Sequence, residues 1–88
     1  MFVFDTAKSL ANLRKHGIRF VDCEAVLLDP EGLTLEDWSE GEQRFNTLGM
    51  DATGSLVIVT WMERGDEVRI ISARKASAGE AKPYGTRT

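Results

Sequence analysis

The chain has 88 residues, which is one domain's worth of sequence and no more. With 42% hydrophobic and 28% charged residues and a net charge of −3, it reads as an ordinary soluble globular protein rather than a generic polyanion binder. A single Cys (Cys23) and a single His (His16) exclude an internal disulfide, argue against a zinc or iron–sulfur centre, and make the cytoplasm the default compartment; no cofactor is expected.

The charge is unevenly placed. Residues 1–19 sum to +3, residues 20–43 to −8 and residues 44–88 to +2. Basic ends bracketing an acidic middle suit a local site for an anionic ligand, although a solvated acidic rim explains the middle equally well. Phe2-Val3-Phe4 is too short for a signal-peptide core, and no apolar run reaches membrane-spanning length.

In chain order, Asp5 is a good N-cap for a helix over Thr6–His16, with Ala7, Leu10, Ala11 and Arg14 on its inward face and Gly17 as its left-handed stop. A second, largely buried helix is expected from Phe20 to Leu28, ended by Asp29-Pro30, with Arg19 a poor cap for it. Thr34–Trp38 and Glu42–Met50 read as two strands joined around Ser39-Glu40-Gly41. Leu56–Met62 and Glu67–Ser72 form a hairpin whose two-residue loop is Arg64-Gly65 or Gly65-Asp66. Either loop puts Val57, Val59, Trp61, Val68, Ile70 and Ser72 on the core face. Ile58, Thr60, Met62, Glu67, Arg69 and Ile71 take the other face, and Arg74 joins Arg69 there only if a bulge or strand end intervenes. A weak closing helix starts near Lys75 or Ala76 and stops at Pro83. The sum is a small α+β fold: two N-terminal helices, a four-stranded antiparallel sheet and a short C-terminal helix.

Chemistry-bearing residues are few. Lys15 and His16 at the end of the first helix, with Arg44, Arg69 and Arg74 from the sheet, would suit a phosphodiester, because guanidinium forks match phosphate oxygens. The plain alternative for Lys15 and His16 is that cations in a last helical turn complement the helix dipole.

The motifs Phe4-Asp5, Asn12-x-x-Lys15-His16-Gly17-Ile18, Phe20, Ala25-Val26, Asp29-Pro30, Glu42-x-Arg44-x-x-x-x-Gly49, Arg69-Ile-Ile-Ser-Ala-Arg74-Lys-Ala76, Glu80 and Tyr84 follow one another in order along nearly the whole chain. In this the sequence resembles the BrnT family of type II toxins, which have a RelE-like fold. The resemblance implies a single toxin domain over residues 1–88 and a ribosome-independent endoribonuclease. It implies a BrnA-like ribbon-helix-helix antitoxin as partner, RNA as substrate, and DNA contact only indirectly, through that antitoxin. Without a metal, cleavage would proceed by attack of the RNA's own 2′-hydroxyl. Arg69 and Arg74 are then assigned to the phosphate, and Lys15 to a second charge or a proton carrier. His16 and Glu42 are the acid–base candidates, while Arg44 and Tyr84 are substrate contacts. Arg19 departs from the family's pattern in a way that weakens the second helix, while Gly79, Pro83 and Gly85 depart in the closing helix and point to an attenuated copy. The competing reading is a catalytically inactive binding module, an antitoxin partner and corepressor; a partnerless nucleic-acid-binding domain is a third.

Overall fold

A computed structural model describes residues 1–38 and 41–85. Five strands, β1 (Phe2–Val3), β2 (Leu33–Asp37), β3 (Arg44–Met50), β4 (Leu56–Arg64) and β5 (Glu67–Lys75), form one sheet in the order β1-β5-β4-β3-β2. Helices α1 (Thr6–His16) and α2 (Glu24–Leu27) lie on one face, and α3 (Ala78–Ala81) follows the last strand.

The meander β2 to β5 is antiparallel as the sequence suggests, but the sheet is mixed and has five strands. The extra strand is Phe2–Val3, which pairs parallel to β5 opposite Val68 and Arg69. Two residues carry too little pattern to be read as a strand, and the pairing partner lies more than sixty residues away.

Helix α1 starts and stops where Asp5 and Gly17 place it: Asp5 accepts from the Lys8 amide, and Gly17 takes φ 73° with its N–H on Leu13 O. Its inward face is a correction. Ala7, Leu10, Ala11 and Arg14 are exposed, and the helix docks through half-buried Ser9, buried Asn12 and half-buried His16. Asn12 is the reason. Its Nδ2 donates to Ile18 O and Ala73 O, both at 2.9 Å, and its Oδ1 accepts from Ala73 N at 3.1 Å. One polar side chain therefore sets the helix azimuth against its apolar stripe.

The expected second helix is a 3-10 turn at Phe20–Asp22 followed by one turn of α-helix at Glu24–Leu27. Neither has a side-chain N-cap; Arg19, at the cap position, pairs with Asp22 at 3.1 Å instead. The segment still buries Phe20, Cys23 and Val26, which join Ile18, Val57, Val59, Ile70 and Ala73 in the core. Each such side chain contributes roughly 1.5–3 kcal/mol on burial. Glycine at position 49 lets α2 approach β3, since a Cβ there would lie 3.0 Å from Val26 Cγ1 and Val26 O.

The β4–β5 hairpin turns on Gly65-Asp66, with Gly65 at φ 63° and Arg64 opposite Glu67. Thr60 pairs with Ser72 and Trp61 with Ile70, leaving Ile71 as an unpaired extra residue. That bulge inverts the remaining register: Ala73, not Ser72, enters the core, and Arg74 falls opposite Ile58. Trp61 stays on the core side, stacked on Phe45 with centroids 4.5 Å apart and its Nε1 donating to Thr47 Oγ1.

The closing helix is shorter than expected, because β5 runs through Lys75. Ser77 then opens α3 with a capping box, its hydroxyl accepting from Glu80 N while Glu80 Oε1 accepts from Ser77 N. Among the described residues no helix is long and apolar enough to cross a membrane. Ser39 and Glu40, part of the expected β2–β3 connection, lie outside the described residues.

Candidate functional site

The sheet face opposite α1 and α2 carries the candidate chemistry. Cross-strand pairing lines up Asn46–Thr60–Ser72 and Leu48–Ile58–Arg74 across β3, β4 and β5 on that face. At the end nearest the C-terminus of α1 lies a hollow of about 270 Å³. Its polar lining is His16, Asn46, Thr60, Ser72, Arg74 and Glu80, with Leu35, Ile58 and Ala73 as the apolar part. Two devices place these groups together: Asn12 ties α1 to β5 at Ala73, bringing His16 over the sheet, and the Ile71 bulge turns Ser72 and Arg74 outward. Thr60 Oγ1 donates to Asn46 Oδ1 at 2.7 Å, fixing the amide across the strands.

Arg74 is gripped by Glu80. Nη1 donates to Oε1 at 2.7 Å and Nη2 to Oε2 at 2.8 Å, a bidentate fork. The Arg74 hydrogen bonds, aided by the Ser77 amide, pull the Glu80 carboxyl down to about 2, and Glu80 in turn raises Arg74. Glu80, like Asn46, Thr60 and Ser72, is a site member to which the sequence reading gave no role. Its signals were the Ser77-x-x-Glu80 capping spacing and its place in the family motif.

The other predicted residues are placed as follows. Lys15 is exposed in the last turn of α1, beside His16 in sequence but outside the lining of the hollow. Arg69 shares the open face with Arg74 but stands opposite Met62, while Arg74 stands opposite Ile58. Four residues of β4 separate the two, about 13 Å along the strand. Arg44 lies at the same far end, paired in register with Asp37. Arg44 meets Glu42 at 3.4 Å and Arg69 meets Glu67 at 3.5 Å, and both Nε atoms are buried without a hydrogen-bond partner. Glu42 therefore belongs with Arg44, not with Arg74. Tyr84 donates its hydroxyl to Asp29, which also accepts from the Met50 and Glu31 amides. The Tyr84 bond, then the Met50 amide, lowers the Asp29 carboxyl, and Tyr84 is raised in return.

A second, more apolar groove of about 580 Å³ continues the hollow along β2, walled by Leu33, Leu35, Leu48, Ile58 and Pro83. Glu80 borders both spaces. Cys23 is buried beside Asp51 and Asp22, and burial pushes its thiol up to about 12, so it is no nucleophile. No group of three His, Cys, Asp or Glu side chains is gathered for a metal ion among the described residues.

Residues 4–80 match the family model described as ribonuclease toxin, BrnT, of type II toxin-antitoxin system. A similar solved structure is the 1.1 Å crystal structure of the Brucella abortus ribonuclease toxin, BrnT. The identity is 25%, over 88% of this chain and 97% of that one, with a TM-score of 0.70. No curated protein matches.

Proposed function

This chain belongs to the BrnT family of ribonuclease toxins of type II toxin–antitoxin systems, and from that premise we propose that it cleaves RNA at the hollow shared by His16 and Arg74. The observation that supports this reading is the meeting of these two side chains on one polar recess of the open sheet face.

In the proposed reaction a phosphodiester lies against Arg74 and no metal takes part. The 2′-hydroxyl oxygen attacks the adjacent phosphorus, the bond from phosphorus to the 5′-oxygen breaks, and a 2′,3′-cyclic phosphate and a 5′-hydroxyl are left. The 2′ proton goes to an acceptor and the leaving oxygen takes one from a donor. His16 is the group in the recess suited to one of those transfers, since an imidazole can accept a proton at one ring nitrogen and donate one from the other. Glu80, held near 2, is too weak a base for the other while Arg74 grips it. Arg74 stabilises the charge that develops on the non-bridging phosphate oxygens, and exposed Lys15, next to His16 in sequence, adds positive potential. Arg69, Arg44 and Glu42, at the far end, serve a more distant stretch of the strand if they contact RNA at all. Tyr84 acts on the site through the strap it fastens to Asp29.

Family membership implies an antitoxin partner. We take it to be of the ribbon-helix-helix type, with DNA contacted only through it. The competing reading, an inactive partner and corepressor, draws support from the same Glu80 fork, which leaves Arg74 with its charge already matched.

Purified chain incubated with single-stranded RNA and chelator decides between them. Fragments with 2′,3′-cyclic phosphate ends from wild type, absent with Arg74→Ala of equal stability, establish the ribonuclease. Intact RNA with folded wild type and folded Glu80→Gln, in both chelator and added divalent metal, establishes the binding module. Cleavage only with metal overturns the metal-independent mechanism.

A further inference from the structure

The salt bridge that closes the site is made by the chain itself. Glu80 presents two oxygens to two nitrogens of Arg74 at 2.7 and 2.8 Å, the same fork that a phosphate would offer. We infer that Glu80 is an intramolecular competitor of the substrate: it holds the guanidinium fork that an RNA phosphodiester takes in the active form, and Ser77–Tyr84 is the strap that keeps it there. This rests on the function proposed above and adds a step to it, the exchange of a carboxylate for a phosphate.

The strap is fastened lightly. No residue of α3 is buried. Its attachments include the capping box at Ser77, the Arg74 fork and, beyond the helix, the Tyr84 hydroxyl on Asp29. The fork is well aligned but solvent-exposed, so water and salt screen it and an RNA phosphate can reach and compete for the same two nitrogens. Glu80 borders both the hollow and the apolar groove that continues it, so its departure would widen the passage between them along the open face. That passage runs from His16 past Asn46 and Ile58 to Leu48. Glu80 remains charged throughout the ordinary pH range, so the competitor is always present. The antitoxin need not be bound for the toxin to be restrained.

The probe is a fluorescently labelled single-stranded RNA with 2′-O-methyl riboses, which cannot be cut by 2′ attack, read by fluorescence anisotropy. Glu80→Gln keeps a capping-box acceptor but removes the charge. It should tighten binding about three- to tenfold, the size expected for a lost charge-paired contact. Tyr84→Phe, which touches neither Arg74 nor Glu80, should tighten it about twofold by loosening the strap. Adding Arg74→Ala to Glu80→Gln should erase the gain. If wild type binds or cleaves RNA through Arg74 while Glu80→Gln binds no better or more weakly, Glu80 is a positioning residue for Arg74, and the competitor is refuted with the ribonuclease reading intact. If neither wild type nor Glu80→Gln binds or cleaves RNA, both fall together. Binding by Glu80→Gln alone, dependent on Arg74, is the strongest support.

Discussion

The open face of the sheet has two arginine-bearing ends, built differently. At the hairpin end, Arg44 and Arg69 flank Met62, and each leans on an acid two residues away in sequence at 3.4–3.5 Å. At the other end Arg74 meets an acid six residues on, across a change from strand to helix, at 2.7 and 2.8 Å. Only that second end also receives a side chain from α1, His16, and opens on a recess. The first end is a set of local pairs between half-buried arginines and nearby acids, in which each Nε is left without a partner. The second is assembled from residues far apart in sequence, and such convergence is what a reaction centre requires. A count of arginines does not distinguish the two ends; their neighbours do.

The sharpest test of this difference is to empty each end in turn. His16→Ala should lower RNA cleavage by roughly 10²–10⁴-fold, the usual worth of a placed acid or base. Arg74→Ala should lower it about 10²–10³-fold, the worth of one preorganised charge donor. Arg69→Ala and Arg44→Ala, 13 Å or so away by strand geometry, should each cost less than about tenfold. Single-turnover cleavage by stability-matched variants reads all four. A loss at Arg69 equal to that at Arg74 would break the contrast and return both arginines to one phosphate.

Much of this arrangement was legible beforehand. Asp5 and Gly17 gave the bounds of α1, and the Val57, Val59, Trp61 and Ile70 alternation gave the core face of the hairpin, because capping and period-two burial are local rules. The placement of Ser72, Ala73 and Arg74 was not, since the pairing pattern alone does not say where a bulge falls; the need for one was evident, its position at Ile71 was not. The docked face of α1 was misread for a different reason. Periodicity weighs Leu10 and Ala11, yet Leu10 is 51% exposed and a lone buried Asn fixes the helix. Glu80 was hidden because it lies beyond the end of β5, which holds its partner Arg74, in a segment whose glycines and proline argue against order.

Asn12 offers the next test, since it supports the Arg74 end alone. Asn12→Ala leaves the Ala73 N–H and the Ile18 and Ala73 carbonyls without their partner in a buried setting. An orphaned buried group costs about 1–3 kcal/mol, so a destabilisation of about 2–4 kcal/mol is expected from urea unfolding. Cleavage should fall further than that loss explains, because α1 no longer holds His16 over the recess. A change below about 1 kcal/mol would show that packing, not this hydrogen-bond set, orients the helix.

The smallest effect comes from acid, and it too should fall on one end. Glu80 is lowered from 4.5 to about 2 by Arg74 and the Ser77 amide, and Asp29 is lowered by the Tyr84 hydroxyl and the Met50 amide. A carboxyl depressed in the folded state binds its proton more readily when unfolded. Its stabilisation is therefore complete above the unfolded value and disappears as the pH falls toward the folded one. For Glu80 that window runs from about 4.5 down to about 2. Across it the thermal midpoint of wild type should decline. Glu80→Gln should decline less steeply, and Tyr84→Phe should lose the share that comes from Asp29. Because both groups secure the residues after β5, hydrogen exchange in acid should rise first in Ser77–Tyr84, before β4 opens. Identical midpoint-against-pH slopes for wild type and Glu80→Gln would mean that the fork does not persist in solution, and the Arg74 end would then stand open without any displacement of the strap.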